Sequence, residues 1–271
     1  MLTRYDTIQL KQVINTITDA VAAEKIFLLA VQTTCCNYEN IFTPVRASRR
    51  EVTGYYLLVL IDNNQGRSNE AWQDTIEHRC RAVTPVTAWV LTITRFADWL
   101  EAGQPFAVKV YTAGLLCYDA QKVWLPEPPE MEAAEIEDAL CRECMHYMKR
   151  SAEFLKGSEQ YYLRRQFRLA AFLLHQAAEQ AYIAINWRIT GFRPVVHSLE
   201  KLHRYALPFS SALATVFPQN NEREEYLFRL LQRAYIDTRY TSDYTVRGAD
   251  LLHLTGRVQK LYEVAEQGVN F

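Results

Sequence analysis

The sequence predicts an α+β protein of two domains, a small mixed α/β domain followed by an all-α, up-and-down helical bundle. Three observations predict this class. Short apolar runs alternate with helical patterns in the first half, a proline-rich and acidic stretch follows at Leu125–Asp138, and helical periodicity covers the rest. We therefore expect an α/β domain over residues 1–124, a linker over residues 125–130 and a bundle over residues 131–271.

Strands and helices alternate in the first half. Helical periodicity covers residues 6–23 and Ser68–Cys80, and a turn at Gly114 precedes an edge strand that ends near Asp119. Short apolar runs predict three more strands, at Lys25–Val31, Gly54–Ile61 and Val86–Ile93. Strands separated by helices indicate an α/β unit.

The second half contains helical patterns only. They lie at Met131–Leu155, Gln160–Ile189, His197–Tyr205, Asn221–Tyr240 and Leu251–Gln267. The second helix carries a stripe of small and apolar residues between Phe167 and Ile185, which lets another helix approach closely. This face could pack within the chain or across a dimer, and we expect a homodimer formed through the bundle.

The composition is that of a globular protein and indicates no single function. The chain has 271 residues, of which 49% are hydrophobic and 12% aromatic. Its 30 basic and 31 acidic residues give a net charge of −1, which argues against a strongly basic coat for nucleic acid. A local basic cleft is still compatible with this balance.

Targeting and cysteine features favour a cytoplasmic protein. The N-terminus is polar without an apolar signal core, and no segment has the roughly 18 uninterrupted apolar residues of a membrane span. Six irregularly spaced cysteines disfavour a disulfide framework, and the adjacent Cys35 and Cys36 are expected to be reduced. We expect no metal site at Cys141, Cys144 and His146, because these positions do not share one helical face.

A row of polar residues recurs on the second predicted helix at spacings of four and seven. Its members are Arg164, Arg168, His175, Glu179 and Asn186. Arginine is a forked donor for phosphate and histidine titrates near neutral pH, so this face would suit a phosphate-binding groove. The alternative is a solvated helix face with one salt bridge from Glu179.

The order of motifs in this half resembles the HEPN domain, a small helical bundle associated with nucleotide and RNA handling. An alanine-rich run with Gln176, Glu179 and Gln180 comes first, then His197 in HSLEKL, then Arg239 and Tyr240 in YIDTRY. The resemblance covers about residues 131–267. It implies nucleotide or RNA binding, with Arg239 and Tyr240 among the binding residues, whereas capping or packing at the turn is the favoured role for His197.

The ribonuclease members of that family carry an arginine, four to six residues and a histidine near the start of the last helix. Arg247 and His253 fit this spacing. The resemblance implies a metal-independent cleavage in which the histidine acts on a 2′-OH and the arginine stabilises the phosphorane charge. Gly248 departs from the motif, where a polar residue usually follows the arginine, so the alternative is a structural histidine.

The first half resembles the nucleotidyltransferase fold that often precedes a HEPN bundle, but the catalytic parts are missing. Ala30–Gln32 stands where active members have Gly-Ser, and Tyr55–Leu57 stands where two carboxylates hold Mg²⁺. Thr92 and Thr94 stand where another carboxylate is expected. The resemblance therefore implies a degenerate domain that transfers no nucleotides and needs no cofactor.

Together these patterns predict a non-catalytic nucleotide- or RNA-binding or regulatory protein that self-associates. The sequence favours a protein without enzymatic activity. Two alternatives stay open, a metal-independent endoribonuclease using Arg247 and His253, and a module that serves dimerisation or assembly only. A basic cluster at Arg46, Arg49 and Arg50 is either a solvated loop or a contact for phosphate.

Overall fold

The computed structural model describes residues 7–34, 37–40, 52–63 and 66–269. The chain divides into two compact units, Met1–Ala133 and Ala134–Phe271. The predicted basic cluster at Arg46, Arg49 and Arg50 and the Cys35–Cys36 pair lie outside the described residues. The mixed α+β class is confirmed, with a small sheet in the N-terminal unit and helices in the C-terminal one.

The N-terminal unit combines a mixed sheet with flanking helices. Its elements are α1 (Ile8–Ala20), β1 (Ala23–Thr34), β2 (Asn37–Asn40), β3 (Gly54–Ile61), α2 (Asn69–Cys80), β4 (Val86–Thr92), α3 (Ile93–Glu101), α4 (Pro105–Ala113) and β5 (Leu115–Asp119). Four strands have the order β2-β1-β3-β4, and β5 pairs with β1. The β3–β4 pairing is parallel, and β1 is antiparallel to β2, β3 and β5.

Strand β3 is buried along its whole length, as a continuous apolar run predicts for a strand covered on both faces. Helices α1 and α2 pack on this sheet through apolar positions such as Val13, Ile17 and Ile76. Each begins at a hydroxyl cap, where Thr7 accepts a hydrogen bond from Leu10 N at 3.2 Å and Ser68 accepts one from Ala71 N.

Helices α3 and α4 were not predicted from the sequence. The β-branched residues in the run Ala107–Ala113 suit a strand, but the run forms most of α4. Pro105 occupies the first turn of this helix, and the Gln104 side chain accepts a hydrogen bond from Ala107 N at 2.9 Å. These start signals outweigh the weak local preference for a strand. The predicted edge strand is confirmed as β5, which pairs with β1.

The C-terminal unit is helical. Its helices are α5 (Ala133–Leu163), α6 (Phe167–Thr190), α7 (Leu199–Ala206), α8 (Glu222–Tyr240) and α9 (Gly248–Val269). Helix α6 is central, because it packs against α7, α8 and α9. It ends at Gly191, whose φ of 70° is the left-handed conformation that glycine adopts at helix C-termini.

The predicted second helix, Gln160–Ile189, is wrong at its start. Helix α5 continues to Leu163, and α6 begins only at Phe167. Between them Arg165 has a φ of 58°, and the amide of Gln166 donates to the carbonyl of Tyr161 at 2.9 Å. This left-handed turn closes α5 without a glycine or proline, so the sequence carries no ordinary stop signal there.

The small-residue stripe of α6 packs inside the chain. Ala170, Ala177 and Ala181 are 0% exposed within the core of the C-terminal unit. The hydroxyls of Ser151 and Ser158 on α5 donate to the carbonyls of Ala177 and Ala170 at 2.8 Å and 2.9 Å. This stripe therefore packs within the chain, and its buried alanines are not available as a surface for a dimer.

None of the helices in the described part of the chain has the length and apolar character needed to cross a membrane.

Candidate functional site

A group of histidine, aromatic and charged side chains meets where α6, α8 and the segment before α7 come together. His175 and Glu179 belong to α6, His197 precedes α7, and Tyr235 and Arg239 belong to α8. These five residues are called the Tyr235 cluster. The spacing of four residues places both α6 members on one face of their helix and both α8 members on one face of theirs.

The segment between α6 and α7 carries His197 back to α6. It leaves α6 at the left-handed Gly191, passes Pro194 and enters α7 at Ser198, whose hydroxyl accepts a hydrogen bond from Lys201 N at 3.3 Å. His197 therefore immediately precedes a helix cap. This position presents its ring to Glu179, eighteen residues earlier in the chain.

The ring of Tyr235 is the centre of the cluster. The ring of His197 lies 4.8 Å from it at an interplanar angle of 20°, and the ring of His175 lies 5.2 Å from it at 22°. Phe172 stacks at 6.4 Å, and the guanidinium carbon of Arg239 lies 4.1 Å from the Tyr235 ring centroid. Near-parallel stacking and a cation–π contact thus hold these side chains together.

Glu179 is a buried carboxylate between two histidines. Its side chain is 6% exposed, and its two oxygens lie 3.2 Å and 3.3 Å from Nδ1 of His197. Burial acts to raise the pKa of Glu179, but the nearby His175 and the hydrogen-bonded His197 together lower it below its ordinary value. Glu179 is therefore ionised and accepts the Nδ1–H of His197.

His175 is the fully buried member of the cluster. Its Nδ1–H donates to the carbonyl of Leu231 at 3.0 Å, which ties α6 to α8. Its Nε2 faces Glu179 Oε2 at 3.7 Å, too long for a hydrogen bond, and has no hydrogen-bond partner among the described residues.

Arg239 is the exposed cation of the cluster. Its Nε donates to the carbonyl of Tyr235 at 2.8 Å, and its guanidinium carbon lies 5.0 Å from the ring of Tyr240. Within the described part of the chain its Nη atoms make no hydrogen bond. Tyr240 is 74% exposed. The pair therefore offers a forked donor next to an open aromatic ring.

Only part of the predicted row on α6 reaches this cluster. His175 and Glu179 lie in it, but the other three predicted binding residues do not. Asn186 is buried, and its side-chain amide donates to the carbonyl of Tyr182 at 2.9 Å. Arg164 lies in the turn after α5, so the prediction that it shares a helix face with His175 is wrong.

Arg168 caps the end of α8 instead of facing a groove. Its guanidinium donates to the carbonyl of Ser242 at 3.0 Å, to that of Thr238 at 3.3 Å and also to that of Thr241. The last carbonyls of a helix lack partners and carry the negative end of its dipole, which explains why an arginine binds there. The Nη donors of Arg168 are thus used within the fold.

Arg247 and His253, the predicted catalytic pair, do not converge within one chain. Arg247 immediately precedes α9, and its carbonyl accepts a hydrogen bond from Leu251 N at 3.0 Å. His253 lies six residues later, which in a helix means about 120° around the axis and about 9 Å along it. Both side chains are exposed. Between them Asp250 is buried and paired with Arg223.

His197 is the member of the cluster for which the sequence predicted a purely structural role. The HSLEKL motif indicated a helix start, and a capping or packing role was favoured for this histidine. The structure instead gives it a 60% exposed side chain bonded to a buried carboxylate. The motif order was the only signal for such a role, because the Glu179–His197 contact depends on how the turn after α6 folds back.

A metal site is not formed by the described residues, since no group of three or more His, Cys, Asp or Glu side chains there is arranged to hold an ion. Cys141 and Cys144 are free thiols, and burial raises the pKa of Cys144 to about 11. A thiol with such a pKa is a poor metal ligand near neutral pH, because metals bind the thiolate.

Most of the C-terminal unit matches the model of a known domain family. The family model of the HEPN domain matches residues 145–268, and this part of the chain is a HEPN domain. The matched span contains the whole Tyr235 cluster and does not extend to the N-terminal unit. A search of curated proteins found no significant match.

Proposed function

We propose that the protein binds a nucleotide or RNA at the Tyr235 cluster of its HEPN domain, together with Tyr240. One observation carries the proposal. The Arg239 guanidinium rests on Tyr235, its Nη donors are free of partners among the described residues, and Tyr240 beside it is largely exposed. An immobilised arginine next to an open ring is suited to bind a phosphate and stack a base.

The chemistry favours a ligand with both a phosphate and a base. Arginine presents paired donors that match phosphate oxygens, and single-stranded nucleic acid binds by stacking its bases on aromatic side chains. His197 adds an exposed imidazole against the same Tyr235 ring. The overall charge of −1 is compatible with phosphate binding, because the field near a site depends on the charged groups at that site and not on the net charge.

The N-terminal unit is, in this proposal, a degenerate nucleotidyltransferase-like domain that transfers no nucleotides. Tyr55 and Tyr56 are buried in β3 at the positions where the resemblance requires Mg²⁺-binding carboxylates. Thr92, where a further carboxylate is expected, instead caps α3 by accepting a hydrogen bond from Arg95 N at 3.3 Å. Without carboxylates a site cannot hold Mg²⁺ against a triphosphate.

Fluorescence polarisation with a labelled single-stranded RNA, competed by AMP and ATP, tests the binding proposal. We expect Arg239→Ala and Tyr240→Ala each to weaken affinity roughly tenfold, because a base stack or a phosphate contact contributes about 1–3 kcal/mol. Arg229→Ala is the matched control, since Arg229 is an exposed arginine of α8 that pairs with Glu225 about 15 Å from Arg239 along the helix. Absent binding, or equal affinities for all variants, would contradict the proposal.

Self-association belongs to the same proposal, but it requires a surface other than the buried alanine stripe. Exposed apolar side chains are present elsewhere in the HEPN domain, among them Leu169 on α6 and Ile236 on α8. Sedimentation equilibrium of the full chain with and without RNA measures the oligomeric state. A dimer that binds neither nucleotide nor RNA would favour the alternative of an assembly module.

A further inference from the structure

We propose that a groove between α1 and β5 of the N-terminal unit binds a short, extended and acidic peptide segment of a partner protein, which adds to the sheet as a further strand. This interaction is separate from nucleotide or RNA binding at the Tyr235 cluster, which lies in the C-terminal unit. Each interaction can therefore be tested without the other.

The position of β5 in the sheet is the first support. Within the described part of the chain β5 pairs only with β1, in an antiparallel register that begins with Leu28 opposite Leu115. Its other edge has no neighbouring strand among these residues, so the outward N–H and C=O groups of that edge can pair with an added strand. In this mode of recognition main-chain hydrogen bonds give affinity, and pockets beside the edge select the side chains.

A groove of about 290 Å³ follows this edge. One wall is formed by all four residues from Leu115 to Tyr118. Successive side chains of a strand point to opposite faces, so a groove that meets four in a row runs along the edge of the strand. Helix α1 forms the other wall with Leu10, Lys11, Ile14 and Asn15, which share one helix face. An added strand would therefore lie between β5 and α1.

Apolar side chains are exposed along the groove. Leu116 of β5 is 44% exposed. Ile8 is 80% exposed and lies three residues before Lys11, on the same face of α1. Leu10 and Ile14 are buried in the core of this unit, which gives the groove a fixed apolar wall. Adjacent exposed apolar side chains beside a groove are typical of an interaction surface, and apolar side chains of a peptide would cover them.

The charge of the groove favours an acidic peptide. Lys11 carries the only charge among the described residues that line it, and Asn15 adds an amide. The carboxylate at the end of β5, on Asp119, accepts a hydrogen bond from Lys25 Nζ at 2.7 Å and is thus used within the sheet. A carboxylate on the bound peptide would complement the charge of Lys11.

The irregular pairing of β5 favours a short peptide over a second copy of the chain. Leu116 lies opposite Phe27 and Tyr118 opposite Ile26, so Cys117 is the extra residue of a bulge. Short and bulged edge strands disfavour edge-to-edge pairing of whole sheets. A short segment needs only the few residues of β5 and the wall of α1.

Selection from a phage-displayed library of random heptapeptides, with the full wild-type chain as the target, tests the proposal. We expect the enriched peptides to carry apolar residues at alternate positions and at least one acidic residue. Fluorescence polarisation of a labelled enriched peptide then measures affinity. Asn15→Trp, which fills the groove from α1, should abolish binding. Lys11→Glu should weaken it by about fivefold, the effect of losing one exposed ion pair.

Two matched controls carry the same new side chains outside the groove. Gln12 is exposed on α1 and Lys109 is exposed on α4, and neither lines the groove. Gln12→Trp and Lys109→Glu should bind the peptide as the wild type does. All four variants change exposed positions, so their unfolding temperatures should stay close to that of the wild type.

Backbone methylation tests whether the peptide binds as a strand. The amides of a strand point alternately toward and away from a neighbouring strand. Of two peptides methylated at the odd or at the even amide nitrogens, one should therefore lose binding and the other should keep it. Hydrogen exchange should also slow in Leu115–Asp119 when the unmethylated peptide is bound.

Failure to enrich any peptide, equal affinity for the wild type and Asn15→Trp, or equal loss with both methylated peptides would overturn the proposal. A wild-type dimer that Asn15→Trp dissociates in sedimentation equilibrium would assign the groove to a second copy and would also overturn it. RNA binding by the same variants reports on the C-terminal site only, so none of these results decides the binding proposal.

Discussion

The hydroxyl of Tyr182 lies 2.8 Å from Nδ1 of His203 in the interior of the HEPN domain. Tyr182 is fully buried on α6, and His203 is nearly so on α7. Burial lowers the pKa of His203 from 6.5 to about 4 and raises that of Tyr182 well above its ordinary value. The hydrogen bond therefore joins two neutral groups and ties α7 to the central helix.

This buried histidine predicts a loss of stability in mild acid. Between pH 6.5 and about pH 4 the unfolded chain takes up a proton at His203 that the folded chain does not, so the free energy of unfolding falls as the pH falls. Such a shift contributes about 3 kcal/mol at its full extent. Urea unfolding across this range measures the slope, and His203→Gln should make it shallower. An unchanged slope in that variant would refute the assignment.

The contacts of Arg168 with the end of α8 lead us to expect that its loss lowers both the free energy of unfolding and the affinity for RNA. Arg168→Met removes the donors that cap the carbonyls of Thr238, Thr241 and Ser242. Bonds from a charged donor contribute about 1.5–3 kcal/mol, so we expect a loss of this order in urea unfolding. Because α8 ends in Arg239 and Tyr240, fraying of its last turn should also weaken RNA binding. Arg164→Met, in the exposed turn before α6, should change neither quantity.

A substitution at Ala177 tests whether the small-residue stripe of α6 packs within the chain or across a dimer. Ala177→Leu adds volume to a fully buried position opposite Ser151 and should cost about 1–3 kcal/mol in unfolding free energy through overpacking. The oligomeric state in sedimentation equilibrium should not change, because the stripe already packs within the chain. Ala249→Leu, at an exposed alanine of α9, is the control for the added side chain. Dissociation of a dimer by Ala177→Leu alone would contradict this packing.

The N-terminal unit predicts a negative result in a nucleotidyl-transfer assay. Incubation with Mg²⁺ and labelled ATP, CTP, GTP or UTP should give no transfer to RNA or to the protein itself. The physical reason is the absence of carboxylates at Tyr55 and Tyr56 in the buried strand β3. Time-dependent transfer that withstands repurification would overturn the proposed loss of activity.

Much of the fold follows from local patterns. Strand β3 matches the predicted Gly54–Ile61, because a short apolar run with aromatic and β-branched residues favours a strand buried on both faces. Helix α8 begins one residue after the predicted start, where Asn221 caps it. Helix α4 was missed because its β-branched residues favour a strand, although Pro105 marks its first turn. The turn at Arg165 was missed because a left-handed arginine has no distinctive local signal.

Some residues of the candidate site could likewise be predicted from local patterns, and others could not. Helical spacing placed His175 and Glu179 together, and the motif order indicated Arg239 and Tyr240. The same spacing wrongly joined Arg164 to this row, since the chain turns before α6 begins. Arg168 shares the helix with the cluster, but the end of α8 takes up its donors.

By itself the sequence determined the α+β class, the helical nature of the second half and the motif order of the HEPN domain, because these depend on periodicity and near-neighbour chemistry. Only the tertiary structure decided which polar residues share a site. Glu179 meets His197 across a glycine-ended turn, and Tyr235 stacks on both histidines from another helix. Contacts of this kind depend on how helices pack, and no spacing along one helix encodes them.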